Sequence, residues 1–140
     1  MRLSTKAQYA VRALVSLAIN GDGTPVSIKS ISAWENISLT YLEQLFVKLR
    51  RGEIVQSSRG PGGGYVLARP AADIRVDQII DTVEETLVPV SCMDEDGTCG
   101  CDSQCVTHAI WQGLGEQIRT FLASKTLEDL AVEGRKRLDR

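Results

Sequence analysis

The chain has 140 residues, and 43% of them are hydrophobic, which is enough to build one compact domain or a small domain with a dimerisation arm. Its formal net charge is −2, and an even distribution of that charge would argue against a nucleic-acid partner. The apolar stretch near the N-terminus is interrupted by Arg12. We therefore expect neither a secretory signal nor a membrane span, and we expect a cytoplasmic protein.

The charge is divided between the two halves of the chain. Residues 1–69 contain nine basic and four acidic residues, a net charge of +5, whereas residues 70–140 contain seven basic and fourteen acidic residues, a net charge of −7. A basic half can neutralise phosphates, while DNA would repel the acidic half. Chance segregation would give the same counts, so charge alone does not identify the partner.

The first third of the chain predicts three helices that form a helix-turn-helix. Apolar residues recur at helical spacing after each of the predicted capping residues, which are Ser4 or Thr5, Ser27 and Ser38. The first helix ends at residues 20–23, and the second, with Ile28 and Ile31, ends near Trp34. The third carries its apolar side at Leu39, Leu42, Leu45, Phe46 and Leu49. Two short helices joined by a tight turn are typical of a helix-turn-helix.

A β-hairpin follows the third helix. Residues 54–58 read as a strand, residues 59–64 as a glycine-rich tip and residues 65–68 as the returning strand. This hairpin is the predicted wing, and its narrow tip would let Arg59 approach a DNA groove closely. An ordinary turn with a solvated arginine is the alternative. A phosphate-binding P-loop is not favoured, because no Lys-Ser/Thr and no helix follow the glycines.

In a helix-turn-helix, the N-terminal residues of the second helix reach base edges in the major groove. The candidates here are Ser38, Thr40, Tyr41, Glu43 and Gln44. Gln44 can pair with adenine, and Glu43 can accept a hydrogen bond from a cytosine amino group. Because Glu43 would repel phosphates, it suggests a device that rejects some sites, although a solvated helix glutamate is the simpler interpretation.

The second half predicts a fourth helix, an acidic loop and a long helix. Val76, Ile79, Ile80 and Val83 indicate a helix that ends at residues 87–89, and residues 90–104 read as a loop. An apolar stripe then follows at Val106, Ile110, Leu114, Ile118, Phe121 and Leu122. Another surface must cover that stripe, and we expect Ile110, Leu114, Ile118 and Phe121 to form the seam of a homodimer. Residues 133–137 are expected to be a frayed, solvated end.

Four cysteines and the single histidine lie within one short segment: Cys92, Cys99, Cys101, Cys105 and His108. In a reducing cytoplasm such a group is more often a metal site or a redox sensor than a set of disulfides. Cys105 opens the predicted long helix, and His108 follows three residues later, so we expect the two side chains to share one helical face. The wide gap between Cys92 and Cys99 fits structural zinc poorly. Iron–sulfur, zinc and bare thiol sensing all stay open on these residues alone.

Four motifs in order resemble the iron–sulfur cluster regulators of bacteria, the IscR-like proteins. They are residues 1–4 with 9–11, residues 37–46, residues 59–65 and residues 105–111. The resemblance runs from residue 1 to about residue 130. It implies a dimeric winged-helix transcription regulator that binds double-stranded DNA, at a pseudo-palindromic promoter site if both DNA-binding heads engage. Genes for iron–sulfur cluster assembly would be its targets.

The resemblance also implies a 2Fe-2S cluster held by Cys92, Cys99, Cys105 and His108. This sequence departs from the family pattern, because the first gap is one residue longer and Cys101 is an additional thiol. Cys101 is therefore an alternative to Cys99 as the middle ligand, and a 4Fe-4S cluster stays open. Cluster occupancy would report cluster supply or oxidative stress.

The expected architecture is mainly α-helical with a small β-wing and a long dimerisation helix. The domains expected along the chain are a winged helix-turn-helix over residues 1–70, a connecting helix over 71–91, a cluster loop over 92–108, and a dimerisation helix with a C-terminal tail over 105–140. An electron-transfer protein is the competing class, but it has no use for a wing with Arg59. We do not expect an enzyme, because no nucleophile–base pair accompanies the histidine.

Overall fold

A computed structural model describes residues 4–83 and 106–138. The elements are α1 (Thr5–Gly21), α2 (Ile28–Glu35), α3 (Leu39–Arg51), β1 (Val55–Ser58), β2 (Gly64–Leu67), a 3-10 turn (Ala71–Asp73), α4 (Val76–Val83), α5 (His108–Ala123) and α6 (Leu127–Leu138). The mainly α-helical fold with a small β-wing is confirmed. Within the described ranges, no helix combines the length and apolarity that a bilayer span needs.

The three N-terminal helices begin at the predicted serines. The side-chain oxygens of Ser4, Ser27 and Ser38 accept hydrogen bonds from backbone N–H groups three residues further on. The helices α1 and α2 end at Asp22 and Asn36, which adopt the left-handed conformation with φ of 48° and 54°. Their apolar faces meet in a core whose fully covered side chains include Leu14, Ile31, Leu42, Phe46 and Leu49.

The wing is a two-stranded antiparallel hairpin that is fastened to the helices. Val55 pairs with Leu67 and Ser58 with Gly64. The returning strand also pairs with Val26, whose N–H donates to the Tyr65 carbonyl at 3.0 Å. A side chain at Gly64 would collide with the Val26 carbonyl, so a glycine is required there. The ring of Tyr65 lies 4.9 Å from that of Phe46, which holds the wing against α3.

The helices α4 and α5 are connected by side chains and by a short backbone pairing. Arg119 on α5 lies 3.3 Å from the Asp81 carboxylate on α4. Val76 N–H donates to the Lys125 carbonyl at 2.9 Å, and Leu127 N–H donates to the Ile74 carbonyl at 2.8 Å. These bonds bring the start of α4 beside the connection between α5 and α6.

The prediction of a frayed C-terminus is wrong, because residues 133–137 lie in α6. Thr126 and Asp129 cap this helix reciprocally, since each backbone N–H donates to the side-chain oxygen of the other residue. Leu127 and Ala131 are buried in the core. At Gly134, α6 approaches α1 so closely that a Cβ would stand 2.7 Å from the Cδ1 of Ile19.

The apolar stripe of α5 divides into two sets. Val106, Ile110, Leu114 and Phe121 are exposed, as a dimer seam requires. Ile118 and Leu122 instead pack partly against the core of their own chain. The predicted seam is therefore narrower than the sequence suggested.

Several predictions fall on residues outside the described ranges. They concern the end of the fourth helix at residues 87–89, the loop over 90–104 and the four cysteines, Cys92, Cys99, Cys101 and Cys105. The helix α5 begins at His108, with Thr107 as its cap residue, which is three residues later than the predicted start at Cys105.

Candidate DNA-binding surface and cluster region

The helix-turn-helix presents a polar N-terminal end of α3. Ser38, Thr40, Glu43 and Gln44 are exposed there, whereas Leu42 and Leu45 between them are buried. The helical period thus turns one face of α3 to the core and leaves four candidate base-reading side chains in solvent. The Ser38 oxygen also accepts from Tyr41 N–H at 3.3 Å, so this serine starts the helix as well as standing at its reading end.

Tyr41 is placed differently from the other candidates. It is half-buried, and its ring meets the Tyr9 ring edge-on at 5.6 Å between centroids. The Arg12 guanidinium lies 5.3 Å from the centre of the Tyr9 ring and donates to the Glu35 carbonyl at 2.6 Å. This group connects α1 with the end of α2 and with the reading end of α3. It therefore adds a contact between α1 and the N-terminal part of α3, beyond the buried core face of α3, and Tyr41 would combine this packing with any contact to DNA.

Sequence reasoning missed Tyr9 and Arg12. In the sequence, Tyr9 fits the helical spacing of the apolar residues in the first helix, and Arg12 only interrupts an apolar stretch. Their positions at i and i+3 were visible in the sequence, but their contacts to α2 and α3 are tertiary. A tyrosine and an arginine one turn apart on an otherwise apolar helix were the available signal.

The wing tip carries an exposed arginine on a narrow turn. Arg59 precedes Gly60 and Gly62, which have φ of 101° and 75°, and Gly63 N–H donates to the Gly60 carbonyl at 2.8 Å. Few side chains surround this turn, so Arg59 extends from it into solvent. Arg59 also has no ion pair among the described residues. A charged group in this state can reach a phosphate or a narrow groove without first breaking a salt bridge.

The unpaired cations of the first half enlarge this surface. Of the described basic residues up to position 69, Arg12 has an ion pair, with Glu35 at 3.5 Å. Those with no ion pair in the described ranges are Lys6, Lys29, Lys48, Arg50, Arg51, Arg59 and Arg69. The end of α3 alone contributes Lys48, Arg50 and Arg51. The positive charge counted in the sequence is thus available to a polyanion.

The described part of the cluster region is the start of α5. His108 is its first residue and is half-buried, while Val106 just before it is exposed. Among residues 4–83 and 106–138, no group of three or more His, Cys, Asp or Glu side chains is arranged to hold a metal ion. The three cysteines expected to complete the ligand set lie outside these ranges. Their role and that of His108 stay predictions.

Comparison with known proteins identifies the family. Residues 3–133 match the model of the Rrf2 family, described as an iron-dependent transcriptional regulator. The chain is 45% identical over 130 residues to the HTH-type transcriptional regulator IscR of Xenorhabdus nematophila, covering 93% of this chain and 79% of that protein.

Solved structures agree with the family match. The structure of CymR, the global cysteine regulator of B. subtilis, gives a TM-score of 0.81 at 34% identity and covers 95% of this chain and 98% of its own. T. potens IscR gives a TM-score of 0.77 at 36% identity, with 96% of this chain and 88% of its own covered. These relatives are regulators rather than enzymes, which confirms the expected class. The chain belongs to the Rrf2 family and is an IscR-like, winged-helix transcription regulator.

Proposed function

We propose that this regulator binds an iron–sulfur cluster and that the state of the cluster controls which DNA sites it occupies. The observation that carries the DNA part is the exposed polar end of α3, together with an exposed wing-tip Arg59 that has no ion pair in the described ranges. Bases would be read by Ser38, Thr40, Glu43 and Gln44, with Tyr41 contributing from its packed position. Arg59 would enter the adjacent groove.

The ligand chemistry supports a cluster. Three thiolates from Cys92, Cys99 and Cys105 with the His108 imidazole form a donor set that suits a 2Fe-2S centre, and a 4Fe-4S centre is the alternative. His108 at the first position of α5 would connect that centre to the helix that carries the exposed stripe. When bound, the cluster would supply a redox-sensitive group whose loss changes the order of the loop. Cys101 is the alternative middle ligand.

A homodimer is part of the proposal. The exposed Ile110, Leu114 and Phe121 share one side of α5, and apolar side chains in this arrangement are typical of helices that pair. A twofold dimer would present two copies of α3 and of the wing to a pseudo-palindromic promoter site in cytoplasmic DNA. Genes for cluster assembly are the proposed targets.

The likeness to CymR, the global cysteine regulator of B. subtilis, favours a second candidate, a regulator of the same fold with a cysteine-related role instead of cluster sensing. Anaerobic purification of the full chain separates the two. The cluster proposal predicts visible absorbance with bound iron and sulfide, both lost in His108→Ala and in Cys105→Ala. A wild-type chain that is colourless and still binds specific DNA sites would favour the second candidate. Single Cys99→Ala and Cys101→Ala variants then assign the middle ligand.

A further inference from the structure

An open cleft of about 830 Å³ lies between the end of α3, the base of the wing and α4. The end of α3 and the turn after it contribute Arg50, Gly52 and Glu53, β1 contributes residues 55–57, the bend after β2 contributes residues 68–69, and α4 contributes Gln78. The side chains that carry charge or hydrogen-bonding groups there are Arg50, Glu53, Gln56, Ser57, Arg69 and Gln78. The wing tip and the N-terminal end of α3 lie outside this lining, so the cleft is separate from the base-reading residues.

Arg69 is the unusual member of this lining. Within the described residues, its Nε is the buried side-chain nitrogen that lacks a hydrogen-bond partner. The two terminal guanidinium nitrogens are not both buried and without a partner in this way. Neither Arg69 nor Arg50 has an ion pair within the described ranges. A partly desolvated guanidinium without a counter-charge is unfavourable, so the arrangement favours an anion from outside the chain.

The remaining lining suits an oxyanion. The lining contains two arginines and one carboxylate residue, Glu53, which gives the cleft an excess of one positive charge. Ser57 and Gln56 can add neutral donors, and the Oε1 of Gln78 is engaged by Arg75 N–H at 3.0 Å, which leaves the amide nitrogen as its donor. Paired arginines bind phosphate oxygens with several parallel hydrogen bonds.

We propose that this cleft binds an oxyanion of the phosphate class through Arg50 and Arg69. The anion contacts the terminal guanidinium nitrogens, since Nε is covered. A backbone phosphate of bound DNA and a free phosphate group are two sources of the same chemistry. The DNA source is supported by the position of the cleft, because its walls α3 and β1 also carry the candidate base-reading residues at the start of α3 and precede Arg59 at the wing tip. This DNA source rests on the proposed function, whereas the free-ion source does not.

The free-ion source is tested by thermal unfolding of the full chain. Inorganic phosphate is titrated against sodium chloride at matched ionic strength, for wild type and for Arg69→Gln, Arg50→Gln and Arg51→Gln. Arg51 is the matched control, because it neighbours Arg50 on α3 but does not line the cleft. Binding raises the Tm of wild type and Arg51→Gln by a few degrees and leaves both cleft variants unchanged. Glu53→Gln removes the negative charge of the cleft and therefore lowers the phosphate concentration that is needed to raise the Tm.

The DNA source is tested by the salt dependence of DNA binding in the same variants. Loss of one phosphate contact lowers the slope of log affinity against log salt by about 1 for each contact. Arg50→Gln and Arg69→Gln show this decrease beyond any seen in Arg51→Gln, with the preferred DNA sequence unchanged. If Arg69→Gln folds poorly, Arg69→Lys replaces it in the comparison. Because lysine keeps the positive charge, this variant should retain most of the slope.

The two assays distinguish a free anion, a DNA phosphate and the absence of anion binding in the cleft. A Tm shift that depends on Arg50 and Arg69 identifies a free anion, and a loss of slope that depends on them identifies a DNA phosphate. The proposal is overturned if both cleft variants match Arg51→Gln in both assays. A wild-type chain that binds no DNA would instead defeat the proposed function, and the phosphate titration would still decide the cleft.

Discussion

The two halves of the chain use their basic residues differently. Up to residue 69, Arg12 has an ion pair and the other described cations do not. After residue 70, four arginines pair with acidic residues of the same half: Arg75 with Asp77, Arg119 with Asp81, Arg135 with Glu128 and Arg137 with Glu133. Paired cations are compensated within the chain, whereas unpaired cations can release counterions from DNA. The pairing, more than the net charge, favours the first half as the proposed DNA-binding half.

The largest expected effect concerns the exposed face of α5. Replacing Ile110 and Leu114 together by glutamate places two charges at the proposed seam, and we expect a monomer in sedimentation velocity. Both side chains are exposed in the single chain, at 63% and 42%, so the fold itself should survive. A matched double replacement at the exposed polar positions Gln112 and Glu116 by alanine should remain dimeric. A folded Ile110/Leu114 variant that stays dimeric would move the interface elsewhere.

The two phenylalanines of the chain give the next contrast. Phe46 is fully buried and holds the wing through Tyr65, whereas Phe121 on α5 is 61% exposed. Phe46→Ala should lower the free energy of unfolding by about 3–5 kcal/mol, because it opens a cavity in the core. Phe121→Ala should chiefly weaken dimerisation. Denaturant unfolding at several protein concentrations distinguishes these effects. If both variants lose the same free energy of unfolding at every protein concentration, Phe121 does not act through dimerisation.

A smaller effect is expected when single arginines of the two halves are exchanged for alanine. Arg59→Ala should weaken DNA binding by about 1–3 kcal/mol with the fold and any cluster unchanged, since the exposed wing arginine has no ion pair among the described residues. Arg137→Ala should leave the affinity unchanged, because Arg137 lies 3.4 Å from Glu133 on α6. Gel-shift titrations at fixed salt compare the two variants. If both variants lose the same DNA affinity, the presence or absence of an ion pair does not distinguish DNA-binding arginines from the others.

The smallest effect belongs to the cap of α6. The pKa of Asp129 lies below its ordinary value of 3.8, chiefly because its carboxylate accepts from the Thr126 N–H. A lowered pKa gives stability that is present above pH 3.8 and is lost as pH falls through the folded value. Asp129→Asn should therefore lower the Tm slightly near neutral pH. The Tm of this variant should also fall less than that of wild type as the pH drops below 3.8. An unaltered pH profile would show that the bond contributes nothing.

The sequence predicted most of the first half because its signals are local. The serine caps, the helical spacing and the glycine-rich turn each act within a few residues, and the structure confirms Ser4, Ser27, Ser38 and the wing. The candidates at the end of α3 are exposed as expected, except that Tyr41 is half-buried by Tyr9. That exception is tertiary, because the contact joins residues far apart in the chain.

The second half was harder because its signals are distant. The helix α6 buries only Leu127 and Ala131, which is too few apolar residues for a clear period. Its position depends on Gly134 against Ile19 and on Arg135, which donates to the Ala18 carbonyl 117 residues away in sequence. No local pattern indicates such contacts. The cleft at Arg50 and Arg69 was missed for the same reason, since its walls come from α3, the hairpin and α4.

The most direct test of the account measures the salt dependence of DNA binding by the intact, anaerobically purified chain. A DNA site selected from a random pool is titrated by fluorescence anisotropy at several chloride concentrations. We predict that log affinity falls linearly with log salt, with a slope corresponding to several phosphate contacts, because seven described cations of the first half lack ion pairs. An affinity that does not change with salt would contradict the assignment of this half to DNA.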